Sequence, residues 1–507
     1  MLKNKIKKFY IYLMVTLFPL VFWDFYFDIA DAKFVVFVAL TFGMLAGLIM
    51  CVCMGKDISG DMKAAYETVR SSAPAKWMLL WCGVNILSFC ISKYKDTAFP
   101  GTGGRDYGLV TVICITIMFI AVSTVELNVK RITDVFVVTS VIVALLALLN
   151  SYGVDFIGFY DGVRMDLRML YQTTLGHVDI CSTFFSMALP VAVVKSVWSD
   201  SIKQKCVYSV GSLIIYAGMF GGGCDSGYVV MAAMMILMVI CIKDYMRMIH
   251  FLILLVLYLW TGFIMICVNK SVETARTMDS ISLIVSDIRV VLVGSLAAAV
   301  LIIIMYKFKS ALKPVLYAVI IMAAVMFFAG FIYFTFINRK MNIGSLENIF
   351  RFSDEWGSRR GYVWRVTVEK FRNNPWYNIL FGTGPDTLEP VLTPEYGDEM
   401  YRRFSAYYDN AHNEYIQYLM TNGIAGLTAY AGLIITCLRC GIKNVKSDKE
   451  RMCAFMAVSC YLVQAVININ QVITTPLMFL FMAVLISDKS KLQFNVSDGI
   501  IIHTKNL

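Results

Sequence analysis

The chain of 507 residues is expected to fold as an all-α, polytopic membrane helix bundle of about 12–14 transmembrane helices, with one large extracytoplasmic loop containing short helices. Three observations lead there. Hydrophobic residues make up 59% of the chain and charged residues only 16%, outside the range of soluble proteins. The apolar residues fall in runs of roughly 17–25, the length that crosses a hydrocarbon core as a helix with its backbone polar groups satisfied internally. One long polar stretch, 338–412, interrupts the pattern and gathers ten Lys and Arg residues and one of the four histidines.

Taken in order, the spans run at about 9–29, 33–54, 77–92, 107–127, 132–150, 180–198, 206–222, 227–243, 249–268, 287–306, 314–337, 413–438, 452–468 and 471–487. The chain then divides into an N-terminal bundle (1–337, about eleven spans), the large extracytoplasmic loop (338–412), the C-terminal spans (413–487) and a cytoplasmic tail (488–507). Basic residues set the orientation. Lys3, Lys5, Lys7 and Lys8 hold the N-terminus in the cytoplasm, and alternation from there places Arg439 to Arg451, with five basic residues, on the same side. Both termini are thus expected in the cytoplasm. Its net charge of +10 reports topology and gives no reason to expect nucleic acid. All fourteen cysteines lie in or beside spans and none in the large loop, where disulfides would be expected in an oxidising compartment. The cytoplasmic connections are too short for an ATPase domain, and no phosphate-binding Gly-rich loop with a Lys occurs.

Polar chemistry collects in four places on the expected outer face: Phe99 to Gly108 with Arg105; the stretch holding Arg164, Arg168 and His177; the glycine hairpin Gly221 to Gly227; and the large loop. Within the loop, Arg360 to Phe371 reads as an amphipathic helix ended by Asn373-Asn374-Pro375, its apolar stripe Val363, Trp364, Thr367, Val368 and Phe371. Arg365, Glu369 and Arg372 form a solvated face. Arg360 sits on the stripe side, where a guanidinium needs an anion, a carbonyl or a structural salt bridge. Gly382-Thr383-Gly384 forms a turn or lets backbone approach a ligand closely. Asp409 and Asn410 are natural N-caps, which puts His412 in the first turn of the next span. The helix-terminal field would keep its ring neutral there.

These residues resemble the O-antigen ligase and polymerase family of bacterial envelope enzymes. The resemblance rests on Arg360-x-x-x-Trp364, Pro375, Gly382-x-Gly384, His412-Asn413-Glu414-Tyr415 and Asn422-Gly423-Ile424-Ala425-Gly426, with Arg105-Asp106-Tyr107-Gly108 upstream. Leu175-Gly176-His177-Val178-Asp179 resembles the family's Leu-Gly-Asn-x-Asn stretch, with His and Asp replacing both asparagines. Cys224-Asp225-Ser226 stands where a Ser-Arg pair is usual, a departure that weakens any anion-binding role for that hairpin.

The resemblance implies a glycosyltransferase that needs neither metal nor cofactor. Its donor would be a glycan on undecaprenyl diphosphate, and its acceptor a glycan or lipid-linked hydroxyl at the outer face. His412 is then the expected base and Arg360 the expected diphosphate ligand. Arg105, Arg164, Arg168, Asn413, Tyr415, Gly382 and Gly384 are expected at the substrate. Membrane lipids complete the partners, and the oligomeric state is not readable. A polymerase-like acceptor is favoured slightly over a ligase-like one, because nothing in the sequence identifies an outer membrane. A polysaccharide flippase or transporter is the alternative, but it should carry ionisable groups near mid-bilayer, and these spans are nearly free of them. A non-enzymatic scaffold would leave His412 and Arg360 dispensable.

Overall fold

The computed structural model describes residues 2–23, 26, 28–55, 66–67, 69–309 and 313–487; the expected tail 488–507 lies outside them. The architecture is an all-α polytopic bundle. Its bundle helices are α1 (Leu2–Val15), α2 (Ile29–Cys53), α3 (Ala73–Ile91), α4 (Leu109–Ser123), α5 (Val129–Ser151), α6 (Val178–Trp198), α7 (Ile202–Gly221), α8 (Ser226–Cys241), α9 (Tyr245–Asn269), α10 (Ile288–Phe308) and α11 (Lys313–Ile332). The large loop contributes α12 (Trp356–Arg372), α13 (Trp376–Phe381) and α14 (Leu388–Phe404), and the chain re-enters the bundle with α15 (Glu414–Ser447), α16 (Arg451–Gln464) and α17 (Thr475–Ile486). Each of the fourteen expected spans meets a bundle helix, and among the described residues eight helices are long and apolar enough to cross a membrane. A two-residue antiparallel ribbon, β1 (Tyr171–Gln172) with β2 (Gly176–His177), precedes α6 and sets Tyr171 opposite His177.

Helix α6 is the central post. It packs against α7, α8 and α16, and nearly every residue from Ile180 to Val197 is buried. Helices α10 and α11 stand at the periphery with largely exposed apolar surfaces. Two ionisable residues of the expected spans, Lys33 and Glu414, are buried. Lys33 of α2 is fully buried and donates to the carbonyls of Phe18, Pro19 and Val21 at 2.8, 3.0 and 2.7 Å, satisfying the frayed end of the first span. Glu414, at the head of α15, accepts from Tyr461 at 2.6 Å and from Tyr430 at 3.3 Å. Both groups are hydrogen-bonded in place, as burial requires.

The loop has a core of its own, in which Tyr362 and Val366 of α12 meet Leu388, Leu392 and Met400 of α14. It is anchored into the bundle at a break in α15. Gly423 there has φ 67° and ψ −171°, which interrupts the helix. The freed carbonyls of Met420 and Thr421 accept from Thr383 N–H at 3.2 Å and Gly384 N–H at 3.0 Å, and Ser88 of α3 also donates to Thr421 at 2.8 Å. Non-helical backbone at such depth is tolerated because protein groups replace the missing helix bonds.

Candidate active site

The site forms where the head of α6 meets the large loop. His177 is the N-cap of α6: its Nδ1 accepts from the Asp179 N–H at 3.2 Å, which leaves the ring proton on Nε2 when the imidazole is neutral. Asp179 is held on every side. Its carbonyl accepts from Asn468 at 2.8 Å, and its Oδ1 accepts from the Cys224 thiol at 2.9 Å. Its Oδ2 lies 3.9 Å from His177 Nδ1 and 3.8 Å from Arg360 Nη2.

Arg360 is brought there by the entry to α12. Gly357, Ser358 and Arg359 all have left-handed φ, so regular helix begins at Arg360, as the amphipathic pattern predicts. The left-handed run turns the Gly357 carbonyl toward the guanidinium, whose Nη1 donates to it at 2.8 Å. Nε of Arg360 is buried without a hydrogen-bond partner, and its contact with Asp179 is long. This guanidinium therefore keeps capacity for an anion.

His412 lies just before α15. The N-cap is Asn413, whose Oδ1 accepts from Tyr415 N–H and Ile416 N–H, both at 3.0 Å. The expected caps Asp409 and Asn410 sit further back, so His412 precedes the helix and does not occupy its first turn. It adopts φ 46°, and its N–H donates to Asn410 Oδ1 at 2.8 Å. Trp364 of α12 donates to the neighbouring Ala411 carbonyl at 2.9 Å, tying the histidine's backbone to the helix that carries Arg360. Burial, then the charge of Arg360, lower the His412 pKa to about 4, while Asp179 and Asp409 oppose the shift. The lowered pKa favours the neutral ring, and its causes are burial and the nearby Arg360 charge. Its Nδ1 has no hydrogen-bond partner. His412, Asp179, His177, Arg105 and Asp409 line a cavity of about 370 Å³, whose remaining wall is apolar (Tyr26, Ile29, Ile469, Ile473).

Several expected substrate contacts are engaged elsewhere. Arg105 does line the cavity, but it is buried and paired with Asp386 at 3.3 Å and with the Asp409 carboxylate, and it donates to the Asp409 carbonyl at 3.0 Å. It is a clamp joining the loop before α4 to the end of the large loop. Neither Arg164 nor Arg168 lines the cavity; Arg168 donates to the Val163 carbonyl at 3.0 Å and lies over the Tyr160 ring. A Cβ on Gly382 would sit 2.2 Å from the Thr421 backbone, and one on Gly384 2.6 Å from Ser92 Oγ, so both glycines serve packing against α15 and α3. Tyr415 donates to the Leu462 carbonyl at 2.9 Å. Asn413 is occupied as the cap. Sequence reasoning assigned no role to Asp179, Cys224 or Asn468. The signal for Asn468 was the polar run Asn468-Ile469-Asn470-Gln471 inside an otherwise apolar end, which the structure makes the buried turn between α16 and α17. Among the described residues no group of three or more His, Cys, Asp or Glu is placed to hold a metal ion.

No curated protein matches the chain. Residues 278–431 match the family model described as O-Antigen ligase, and over this segment, which contains Arg360, Trp364, Gly382, Gly384, His412 and Asn413, the chain is similar to that family.

Proposed function

We propose that the protein transfers a glycan from undecaprenyl diphosphate to an acceptor hydroxyl at the outer face of the bacterial cytoplasmic membrane, without a metal, and that its acceptor is another lipid-linked glycan, a polymerase-like reaction. The observation that carries this reading is a half-buried arginine with unfilled donor capacity near a half-buried histidine of lowered pKa, the histidine lining a cavity with an apolar wall. A glycosyl diphosphate is already activated. The enzyme has to stabilise the departing negative charge and remove one proton.

In this reading Arg360 grips the diphosphate, since a guanidinium matches phosphate oxygens as a fork. The glycan C1–O bond to the diphosphate breaks, and its electron pair leaves with undecaprenyl diphosphate. The acceptor oxygen bonds to C1, and its proton passes to the neutral His412. Asp179 positions Arg360 and stabilises the imidazolium that forms. Asn413, Tyr415, Gly382 and Gly384 support the site, and Arg105 closes it. The apolar wall suits the first isoprene units of the carrier.

The test is turnover by purified protein in vesicles with undecaprenyl-diphosphate-linked glycan. His412→Ala and Arg360→Ala should insert normally and fail to transfer, while Arg372→Ala retains activity. Near-normal transfer by either of the first two removes its assigned role. Growth of the glycan by whole repeat units distinguishes the polymerase from a ligase, which makes a single addition.

A further inference from the structure

Helix α6 begins at the candidate active site with Asp179 and ends at Trp198. Its 21 residues separate the two ends of the bundle by roughly 30 Å. At the Trp198 end a crevice of about 640 Å³ opens between the corner joining α8 to α9 and the corner joining α15 to α16. Its walls are apolar: Trp198, Leu237, Ile240, Ile442, Val445 and Phe455. Ile240 and Ile442 are each more than half exposed at its opening. Its rim is basic, with Lys243, Arg247, Lys446 and Lys449 against the one acidic lining residue, Asp244. That carboxylate is engaged in capping α9, where it accepts from Arg247 N–H at 2.9 Å. The Arg247 guanidinium lies 3.5 Å from Asp200 and over the Trp198 ring. Among the described residues Lys243, Lys446 and Lys449 enter no ion pair, and all three are exposed.

We propose that this crevice is a binding site for a phospholipid with an anionic headgroup, one acyl chain lying against the apolar walls and the phosphate among the three lysines. Charge and shape choose this occupant together. A soluble anion would answer the lysines and leave the apolar slot unfilled. A zwitterionic lipid would fill the slot and place its own cation among lysines. Basic pockets between transmembrane helices recognise anionic headgroups in this manner, and three unpaired lysines favour an anionic over a zwitterionic lipid on the order of tenfold or more. The site is independent of the glycan-transfer reading, because it lies at the far end of the bundle.

Trp198 in the crevice provides the readout. The full-length protein is reconstituted in vesicles containing phosphatidylglycerol or phosphatidylcholine with brominated acyl chains, and the Trp198 signal is taken as the difference from Trp198→Phe. Quenching should reach half-saturation at a mole fraction of brominated phosphatidylglycerol about tenfold below that of brominated phosphatidylcholine. The double variant Lys446→Gln/Lys449→Gln should abolish that preference while keeping the thermal unfolding of the parent. Ile240→Phe, which fills the slot without changing charge, should weaken quenching by both lipids. Excess inorganic phosphate should leave the quenching in place. Equal quenching by the two lipids, a preference that survives the double variant, or indifference to Ile240→Phe overturns the proposal in favour of bulk lipid alone. Loss of the preference to inorganic phosphate overturns it in favour of a simple anion site.

Discussion

The state of His412 yields a quantitative test through pH. An ordinary histidine titrates near 6.5, and burial, with Arg360 as the second cause, lowers His412 to about 4. Between those values the unfolded chain carries a proton on this residue that the folded chain does not. The unfolded state then binds more protons, so the stability owed to a neutral His412 is complete above pH 6.5 and is lost as pH falls toward 4. The interval of about 2.5 units corresponds to roughly 3 kcal/mol at 1.36 kcal/mol per unit. For activity, the base stays competent through the mildly acidic range, so single-turnover transfer should be flat down to about pH 5 and halve near pH 4. His412→Asn is the appropriate control, because Asn tolerates the left-handed backbone found there. It should lower transfer by roughly 10²–10⁴-fold and flatten the pH dependence of stability between 4 and 6.5. Asp179→Asn removes a carboxylate that favours the imidazolium, so it should push any residual acid limb lower still. The assay is transfer by purified protein in vesicles buffered from pH 4 to 8, with thermal unfolding recorded in parallel. A rate that halves near pH 6.5 would refute the reasoning, since it would mean that water or a carboxylate stabilises the cation.

Other variants separate chemistry from support. Arg360→Lys keeps the charge but loses the planar fork, and transfer should fall by roughly 10²–10³-fold, equivalent to about 2–4 kcal/mol of transition-state stabilisation; Arg365→Lys, on a helix face already paired with Asp354 and Glu369, should change little, and chelation with EDTA should leave the parent rate unaltered. Arg105→Gln breaks a buried pair with Asp386, so unfolding should show a loss of roughly 3–5 kcal/mol; a raised KM with unchanged stability would instead make Arg105 a substrate ligand. Gly382→Ala should cost at least about 1–2 kcal/mol from its left-handed backbone alone, with a further cost from the clash against Thr421; unaltered stability with lost transfer would return Gly382 to the substrate. In a background lacking reactive cysteines, Asp398→Cys should be labelled in intact cells by an impermeant thiol reagent and Lys449→Cys should not; the reverse would place the cavity on the wrong side for a lipid-linked donor.

The helices were legible because long apolar runs admit few alternatives, and the loop helix at Arg360 because its stripe and its Asn-Asn-Pro stop coincide. The break in α15 was not. Gly423 sits in a run that reads as continuous helix, and only the arrival of Gly382 to Gly384 from the loop replaces the lost hydrogen bonds. Arg360 and His412 could be singled out from type and position. The clamp role of Arg105 could not, because Asp386 and Asp409 lie far from it in sequence and carry no local sign of pairing. The N-cap was misplaced for a related reason: Asp409, Asn410 and Asn413 are all competent caps, and only the buried packing of α15 selects among them. Asp179 was visible as a departure from the asparagine expected there, yet its meaning needed the distances to Arg360 and His177.

The buried turn between α16 and α17 bears on how the protein is made. Asn468 holds the Asp179 carbonyl, Val472 N–H donates to the Arg105 carbonyl at 2.9 Å, and Glu414 N–H donates to the Ala465 carbonyl at 2.8 Å. Every motif residue has been added to the chain by residue 426, yet the groups that hold them in register come later. Synthesis runs from the N-terminus. A nascent chain therefore carries all its reactive side chains before it has the scaffold that aligns them. If the proposed transfer is right, a chain stopped at residue 450 should insert with every motif intact and transfer nothing.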